Sequence, residues 1–352
     1  MESLKNASIL ITGGTGSFGK SFVRYALDNL NPTRLVVFSR DELKQFEMRQ
    51  QFPELKYPNL RFFIGDVRDK ERLYRAVDGV DVLVHAAALK QVPACEYNPL
   101  EAIKTNVIGA ANIVDAAIDR NVKKVLALST DKAANPDNLY GATKLCSDKL
   151  FVAANTYSGF HGTRFSVVRY GNVVGSRGSV IPYFLAQKST GTLTITDPRM
   201  TRFLITLDQG VKFVIDSMIR MRGGEIFVPK IPSVKVTDLA RVVAPDCEQK
   251  VIGIRPGEKL HEVMVSEDDA RNSLEYDDHY VIQPSHPFWD SDRFKQDRGG
   301  KPCEDGFSYC SDSNPDWLSD DQIGGLIDMV NTGPMTTDVK PKADEPSFFS
   351  GA

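Results

Sequence analysis

The feature that most constrains this chain lies near the N-terminus, where an apolar run, Ala7-Ser8-Ile9-Leu10-Ile11, meets Thr12-Gly13-Gly14-Thr15-Gly16-Ser17-Phe18-Gly19. A helical pattern, Gly19–Leu30, follows at once. Glycine at 13, 16 and 19 allows a tight turn off a strand, a close approach of backbone to a pyrophosphate, and close packing of helix on strand. The helix N-terminus then faces the negative charge. Glycines so spaced also occur in plain turns. Their place between a first strand and a first helix is what favours a dinucleotide site with Gly13, Thr15, Gly16, Ser17, Phe18 and Gly19 as contacts.

The same rhythm continues. Ile9–Ile11, Leu35–Phe38, Arg61–Ile64, Val82–Val84 and Lys124–Leu128 read as strands. Gly19–Leu30, Glu42–Gln51, Lys70–Val77, Pro99–Arg120 and Tyr140–Thr156 read as helices. Such alternation predicts an α/β fold, a Rossmann-type doubly wound parallel sheet with helices on both faces. After Asn172 the pattern loosens into a basic loop, Gly175-Ser176-Arg177-Gly178-Ser179, then two more helices and a strand at Glu225–Val228 that returns to the sheet. The expected division is a nucleotide-binding domain over 1–175, rejoined by about 203–232. A smaller C-terminal α/β substrate part takes 176–202 and 233–331, and 332–352 is a flexible tail.

A chain of 352 residues is long enough for about two domains at ~100–200 residues each. Its net charge of −3 offers no footprint for nucleic acid or an anionic membrane. The five cysteines (Cys95, Cys146, Cys247, Cys303, Cys310) show no paired spacing, so neither disulfides nor a metal site is expected and a reducing compartment fits. No apolar leader precedes the first strand, and no apolar run reaches the ~18–20 residues that span a bilayer. The expectation is a cytoplasmic protein.

The second strand ends in Ser39-Arg40, with Lys44 one helical turn on. A carboxylate at this point would hold a ribose hydroxyl, whereas these groups attract a 2′-phosphate, which favours NADP over NAD. Asp66 and Val67 follow the third strand, where a carboxylate reaches an adenine amino group. Ala86, Ala87 and Ala88 follow the fourth, small enough for a dinucleotide to lie on the backbone. His85 reads as a packed strand-end residue. Lys90 can reach the nicotinamide ribose or a substrate.

Tyr140 and Lys144 are four apart and share one helix face. A lysine beside a phenol lowers its pKa and makes Tyr140 a base for a sugar hydroxyl. Just upstream, Thr130-Asp131-Lys132 closes the fifth strand. Asp131 and Lys132 offer an acid and a base for loss of water next to a carbonyl, provided Lys132 is desolvated enough to be partly neutral.

The glycine loop and the Tyr140/Lys144 pair resemble the extended short-chain dehydrogenase/reductases. The run Ser129-Thr130-Asp131-Lys132-Ala133-Ala134-Asn135-Pro136, continuing to Tyr140-Gly141-Ala142-Thr143-Lys144, resembles the inverting UDP-N-acetylglucosamine 4,6-dehydratases of pseudaminic acid biosynthesis. The resemblance covers roughly 5–285. It implies Thr130, Asp131, Lys132, Tyr140 and Lys144 as catalytic residues, NADP as cofactor and a UDP-sugar as substrate. It also implies a homo-oligomer, up to a hexamer, and inversion at C5 with Tyr140 as second proton donor. It further implies substrate contacts from Asn172, Arg177, Gly178, Ser179, Val180, Ile181, Thr196, Arg199, Arg255 and Glu258. A retaining dehydratase, a sugar-nucleotide 4-epimerase and a non-catalytic NADP-binding scaffold stay open as alternatives.

Overall fold

The computed structural model describes residues 4–176, 179–284 and 299–332. The first half alternates as the sequence predicts: β1 (Ser8–Thr12), α1 (Ser17–Asn29), β2 (Arg34–Ser39), α2 (Glu42–Gln51), β3 (Leu60–Ile64), α3 (Lys70–Ala76) and β4 (Val82–His85). Next come α4 (Val92–Tyr97), α5 (Pro99–Ile103), α6 (Gly109–Asp119), β5 (Lys124–Thr130), α7 (Leu139–Tyr157) and β6 (Arg164–Tyr170). Shorter elements follow: β7 (Asn172–Val173), α8 (Val180–Gln187), β8 (Thr192–Ile195), β9 (Thr201–Ile205), α9 (Leu207–Arg220), β10 (Ile226–Pro229), β11 (Ser233–Lys235) and α10 (Val236–Val243). The described chain closes with β12 (Glu248–Val251), β13 (Val263–Val265), α11 (Glu267–Ala270), β14 (Ser273–Glu275), β15 (His279–Ile282), β16 (Lys301–Pro302), β17 (Tyr309–Cys310) and α12 (Asp320–Thr332).

The main sheet runs β16-β14-β15-β10-β6-β5-β4-β1-β2-β3. From β10 to β3 every pair is parallel, with Ile9 of β1 opposite Leu35 of β2 and Val82 of β4. Strands covered on both faces are apolar throughout, and β1 and β4 are buried at every position. Side-chain caps fix where several helices begin: Asp41, Asp69 and Asn138 accept from Lys44 N, Arg72 N and Gly141 N. The order reverses between β1 and β4, and in open α/β sheets the crevice at that point takes the ligand.

Two stretches differ from the sequence reading. Pro99–Arg120 is not one regular helix, because a π-helical turn, Lys104–Ile108, interrupts it between α5 and α6. The turn directs buried Asn106 toward α7. Part of the stretch 233–331 also joins the main sheet rather than standing apart from it. β15 pairs antiparallel with β10, and β14 and β16 add outside it, which covers an edge that would otherwise stay open. A second apolar cluster does exist, with Phe184, Leu193, Leu239 and Ile323 among its buried members, contributed by α8, β8, α10 and α12. Among the described residues no helix is long and apolar enough to cross a membrane.

Candidate active site

The glycine loop is built by backbone constraint. Gly13 has φ +65°, and a Cβ there would meet the Ala86 carbonyl and the Ala87 amide nitrogen at 2.9 Å. Thr12 Oγ1 fixes that approach, accepting from Ala86 N at 3.2 Å and Ala87 N at 3.3 Å and lying 2.8 Å from His85 Nδ1. His85 is fully buried and its pKa falls to about 3, first through burial and then through the Lys144 charge, so it is a neutral packing residue. α1 begins at Gly16 without a side-chain cap and without an acid in its first turn. Its first N–H groups and positive end are therefore open to an anion, which is the geometry a pyrophosphate needs. Ser17 opens the helix, Phe18 stacks on Phe22, and Gly19 lies buried beneath the loop.

Thr15 and Ser39 share a hydrogen bond of 2.8 Å that ties the loop to the end of β2. The cations beside it are already engaged. Arg40 lies 3.7 Å from Asp66, and Lys44 pairs with Asp41. Asp66 also holds Arg68; burial works to raise its pKa, but the Arg68 hydrogen bonds and the Arg68 and Arg40 charges outweigh that and keep the carboxyl low. The Val67 side chain is in the core, and its carbonyl accepts from Asn112 Nδ2 at 3.0 Å. Ala86, Ala87 and Ala88 line the strand end as expected, and Lys90 opens to solvent at the rim, its pKa lowered by partial burial.

The catalytic turn lies across the crevice. Thr130 ends β5, and Asp131–Ala133 forms a 3₁₀ turn. The turn packs so closely on α7 that a Cβ on Gly141 would land on the Lys132 carbonyl. Asp131 is fully buried and takes the Thr130 hydroxyl at 2.9 Å and Lys132 Nζ at 3.0 Å. One expectation is corrected here. Lys132 is not partly neutral: burial disfavours its charge, but Asp131 and Glu262 together raise its pKa above the usual lysine range. The Lys144 ammonium donates to the Leu128 carbonyl at 2.7 Å, with buried Asp148 as counter-charge. Burial pushes Tyr140 up to about 12, opposed first by the Lys132 charge and then by the Thr130 hydrogen bond.

Four buried or half-buried polar groups escaped the sequence reading. Glu262 is buried and lies 3.0 Å from Lys132 Nζ. Arg202 of β9 reaches to 3.8 Å from Glu262 and donates to the Leu260 and Lys259 carbonyls. Asn106 donates to the Leu89 carbonyl at 2.9 Å and to Thr143 Oγ1 at 3.0 Å, and it accepts from Leu89 N. It thereby holds the loop after the alanines against α7. Asp148 accepts from Ser129 and leans on buried Arg169, which reaches Asp269. Asn106 and Asp148 did carry a signal, as polar residues on the buried faces of helices; Glu262 and Arg202 carried none, since only the folded chain brings them to residue 132.

The substrate-side residues are scattered more widely. Asn172 pairs through β7 with Leu204, and Ser179 begins α8 with its hydroxyl buried. Val180 is half-buried, and the Ile181 side chain belongs to the second cluster, leaving its backbone alone to face outward. Thr196 lies 3.1 Å from Met200 Sδ. Arg199 is exposed and paired with Asp197 at 2.8 Å. Arg255 and Glu258 bind each other, and Gly257 between them holds Asn138 at 2.8 Å beside Tyr140. Arg177 and Gly178 lie outside the described residues.

The chain resembles known proteins along most of its length. It is 56% identical over 330 residues, 92% of this chain and 97% of the relative, to "UDP-N-acetylglucosamine 4,6-dehydratase (inverting)" of Campylobacter jejuni. It is 44% identical over 283 residues, 78% of this chain and 82% of the relative, to "UDP-glucose 4-epimerase" of Rickettsia canadensis. Among solved structures, Pen from Bacillus thuringiensis superposes with a TM-score of 0.84 at 36% identity, covering 93% of this chain and 98% of that one. Residues 9–284 match the family described as polysaccharide biosynthesis protein. With its glycine loop at a parallel-sheet switch point and its Tyr140/Lys144 helix, the chain belongs to this polysaccharide biosynthesis protein family of the extended short-chain dehydrogenase/reductases.

Proposed function

We propose that this protein is an NADP-dependent UDP-N-acetylglucosamine 4,6-dehydratase that inverts C5, releasing UDP-2-acetamido-2,6-dideoxy-beta-L-arabino-hexos-4-ulose for pseudaminic acid biosynthesis. One observation carries the reading. Beside the Tyr140/Lys144 pair stands an ion pair of half-buried Lys132 with buried Asp131 at 3.0 Å, and the Thr130 hydroxyl donates to Asp131. A 4-epimerase needs only the tyrosine and lysine, whereas eliminating water across C5 and C6 needs a further acid and base.

NADP, held by the Gly13–Gly19 loop at the start of α1, would supply the hydride exchange from C4 and back to C6. The protein's own part is proton traffic and positioning. Tyr140 takes the proton of the C4 hydroxyl; its raised pKa makes it a strong base once ionised, and a cation nearby is needed to ionise it. The C4 ketone then acidifies the C5 proton. Lys132 in its amine form takes that proton and Asp131 in its acid form protonates the departing C6 hydroxyl, a proton arrangement reached by transfer from Lys132 to Asp131 across their 3.0 Å contact. The 5,6-ene is planar at C5, so the face that receives the returning proton sets the configuration. Tyr140 holds the proton gained from the C4 hydroxyl and returns it from the face opposite Lys132. Protons taken and given then balance over the cycle.

The test is incubation of the purified protein with UDP-N-acetylglucosamine and no added cofactor. The expected product is the 4-keto-6-deoxy L-arabino sugar nucleotide, identified from early proton couplings at C5, with deuterium at C6 when C4 is deuterated. A D-xylo first product removes the inversion and keeps the dehydratase. The second reading, a 4-epimerase, is favoured by the likeness to the Rickettsia epimerase; recovery of a C4 epimer without water loss would establish it instead.

A further inference from the structure

We infer that Glu262 is a positioning residue of the elimination step, the counter-ion that orients Lys132 and stabilises the ammonium formed when Lys132 takes the C5 proton. The inference rests on the dehydratase reading above. Its basis is geometric. Glu262 precedes β13, and its backbone is fixed on both sides: its N–H donates to Ser311 Oγ at 2.9 Å, and Ser311 N donates to its carbonyl at 2.9 Å. β13 packs against the 3₁₀ turn that carries Lys132. The side chain therefore has one direction left, inward, where Oε1 lies 3.0 Å from Lys132 Nζ.

A charge-neutralising role alone accounts poorly for this arrangement. Asp131 already neutralises Lys132 at 3.0 Å. Glu262 adds a second carboxylate that is 2% exposed, and its Oε2 has no hydrogen-bond partner among the described residues; neither has Asp131 Oδ2. Orphaned carboxylate oxygens in a buried site are costly, and such costs concentrate where function needs them. Two carboxylates flanking one ammonium suit a proton that must move: the like charge of Glu262 favours return of a proton to Asp131, and its contact with Nζ favours the ammonium that follows C5 deprotonation. The Glu262 carboxyl itself exchanges no proton in the cycle, as with the aspartate that steadies the histidine of a serine-protease triad.

The groups facing this centre are Asp131 and Lys132 on the turn, Tyr140 on α7 and Arg202 on β9, 3.8 Å from Glu262. The neighbouring His261 ring turns away, toward Thr201 at 2.8 Å and Asp312 at 3.9 Å. Removing the Glu262 charge lowers the proton affinity of Lys132, so the pH–kcat bell moves to lower pH.

The decisive variant is Glu262→Gln in the full chain, which keeps the shape and an oxygen acceptor but removes the charge. Turnover and C5 solvent-deuterium exchange fall about 100-fold. The bell shifts acidic by about one pH unit. KM and the single-turnover burst of reduced cofactor, which reports C4 oxidation, stay within about threefold of wild type. Glu262→Asp restores the position of the bell. An unmoved bell with wild-type turnover in Glu262→Gln overturns the inference, and so does loss of C4 oxidation together with elimination, which marks a structural role. Lys132→Ala separates the two layers: wild-type C5 exchange in that variant sinks Lys132 as base, whereas lost exchange there beside wild-type exchange in Glu262→Gln sinks the Glu262 role alone.

Discussion

The two halves of the site are built by different means. On the nucleotide side, one contiguous segment does most of the work. β1, the glycine loop and α1 form a cradle from backbone geometry, steadied by the short reach from Thr12 to His85 and Ala86. Across the crevice, the candidate catalytic centre is assembled from side-chain charges on three separate segments, the 3₁₀ turn after β5, β9 and the residue before β13. A backbone cradle is insensitive to protonation; a cluster of buried charges is defined by it. On the proposed function the first half binds and the second half moves protons, and changes in one should leave the other largely intact.

Lys132→Ala should give the largest effect, a loss of about 10³–10⁴ in turnover with NADP affinity unchanged by titration. A matching fall in NADP affinity would break the division between the halves. The next test is pH-dependent. His85 has its pKa lowered to about 3, so the unfolded chain binds a proton that the folded chain refuses. Its contribution is intact above the unfolded value near 6.5 and is lost as pH falls toward 3, at about 1.4 kcal/mol per pH unit in denaturant titrations. His85→Gln should flatten that slope, and an unchanged slope would place the acid sensitivity elsewhere.

Gly13→Ala sharpens the same point from the backbone side. A left-handed residue with a Cβ against the Ala86 carbonyl costs about 2–4 kcal/mol, seen as weaker NADP binding and a lower Tm. C5 exchange at saturating NADP should stay near wild type; if it falls, the cradle also sets the catalytic geometry. The smallest effect belongs to Arg40→Ala with Lys44→Ala. Each cation must leave a carboxylate before it can meet a 2′-phosphate, so the preference for NADP over NAD should drop only about tenfold. No change in that ratio would take both residues out of cofactor selection.

The sequence reading is most direct where the pattern follows chain order. Residues 12–19 between an apolar strand and a helix, the four-residue spacing of Tyr140 and Lys144, and the adjacent Asp131 and Lys132 are all local patterns, and the fold keeps them as such. It missed the π-turn because nothing in Lys104-Thr105-Asn106-Val107-Ile108 breaks the helical periodicity; the insertion is selected by what Asn106 meets, the Leu89 carbonyl and Thr143. It placed β14 to β16 with a separate part because short strands carry no label of the sheet they join.

By itself, then, the sequence determined the parallel sheet and the glycine loop at its switch point and named the candidate reacting side chains, since periodicity and glycine spacing act within a few residues. The protonation states were decided only by the tertiary structure. Lys132 is held as an ammonium by Glu262 as well as Asp131, and Tyr140 is kept a phenol by burial, opposed first by the Lys132 charge and then by the Thr130 hydrogen bond. Lys144 turns to Leu128 and Asp148. The physical reason is that a buried charge takes its pKa from whatever the fold brings within a few ångströms, and residues far apart in the chain have no pattern that announces they will meet.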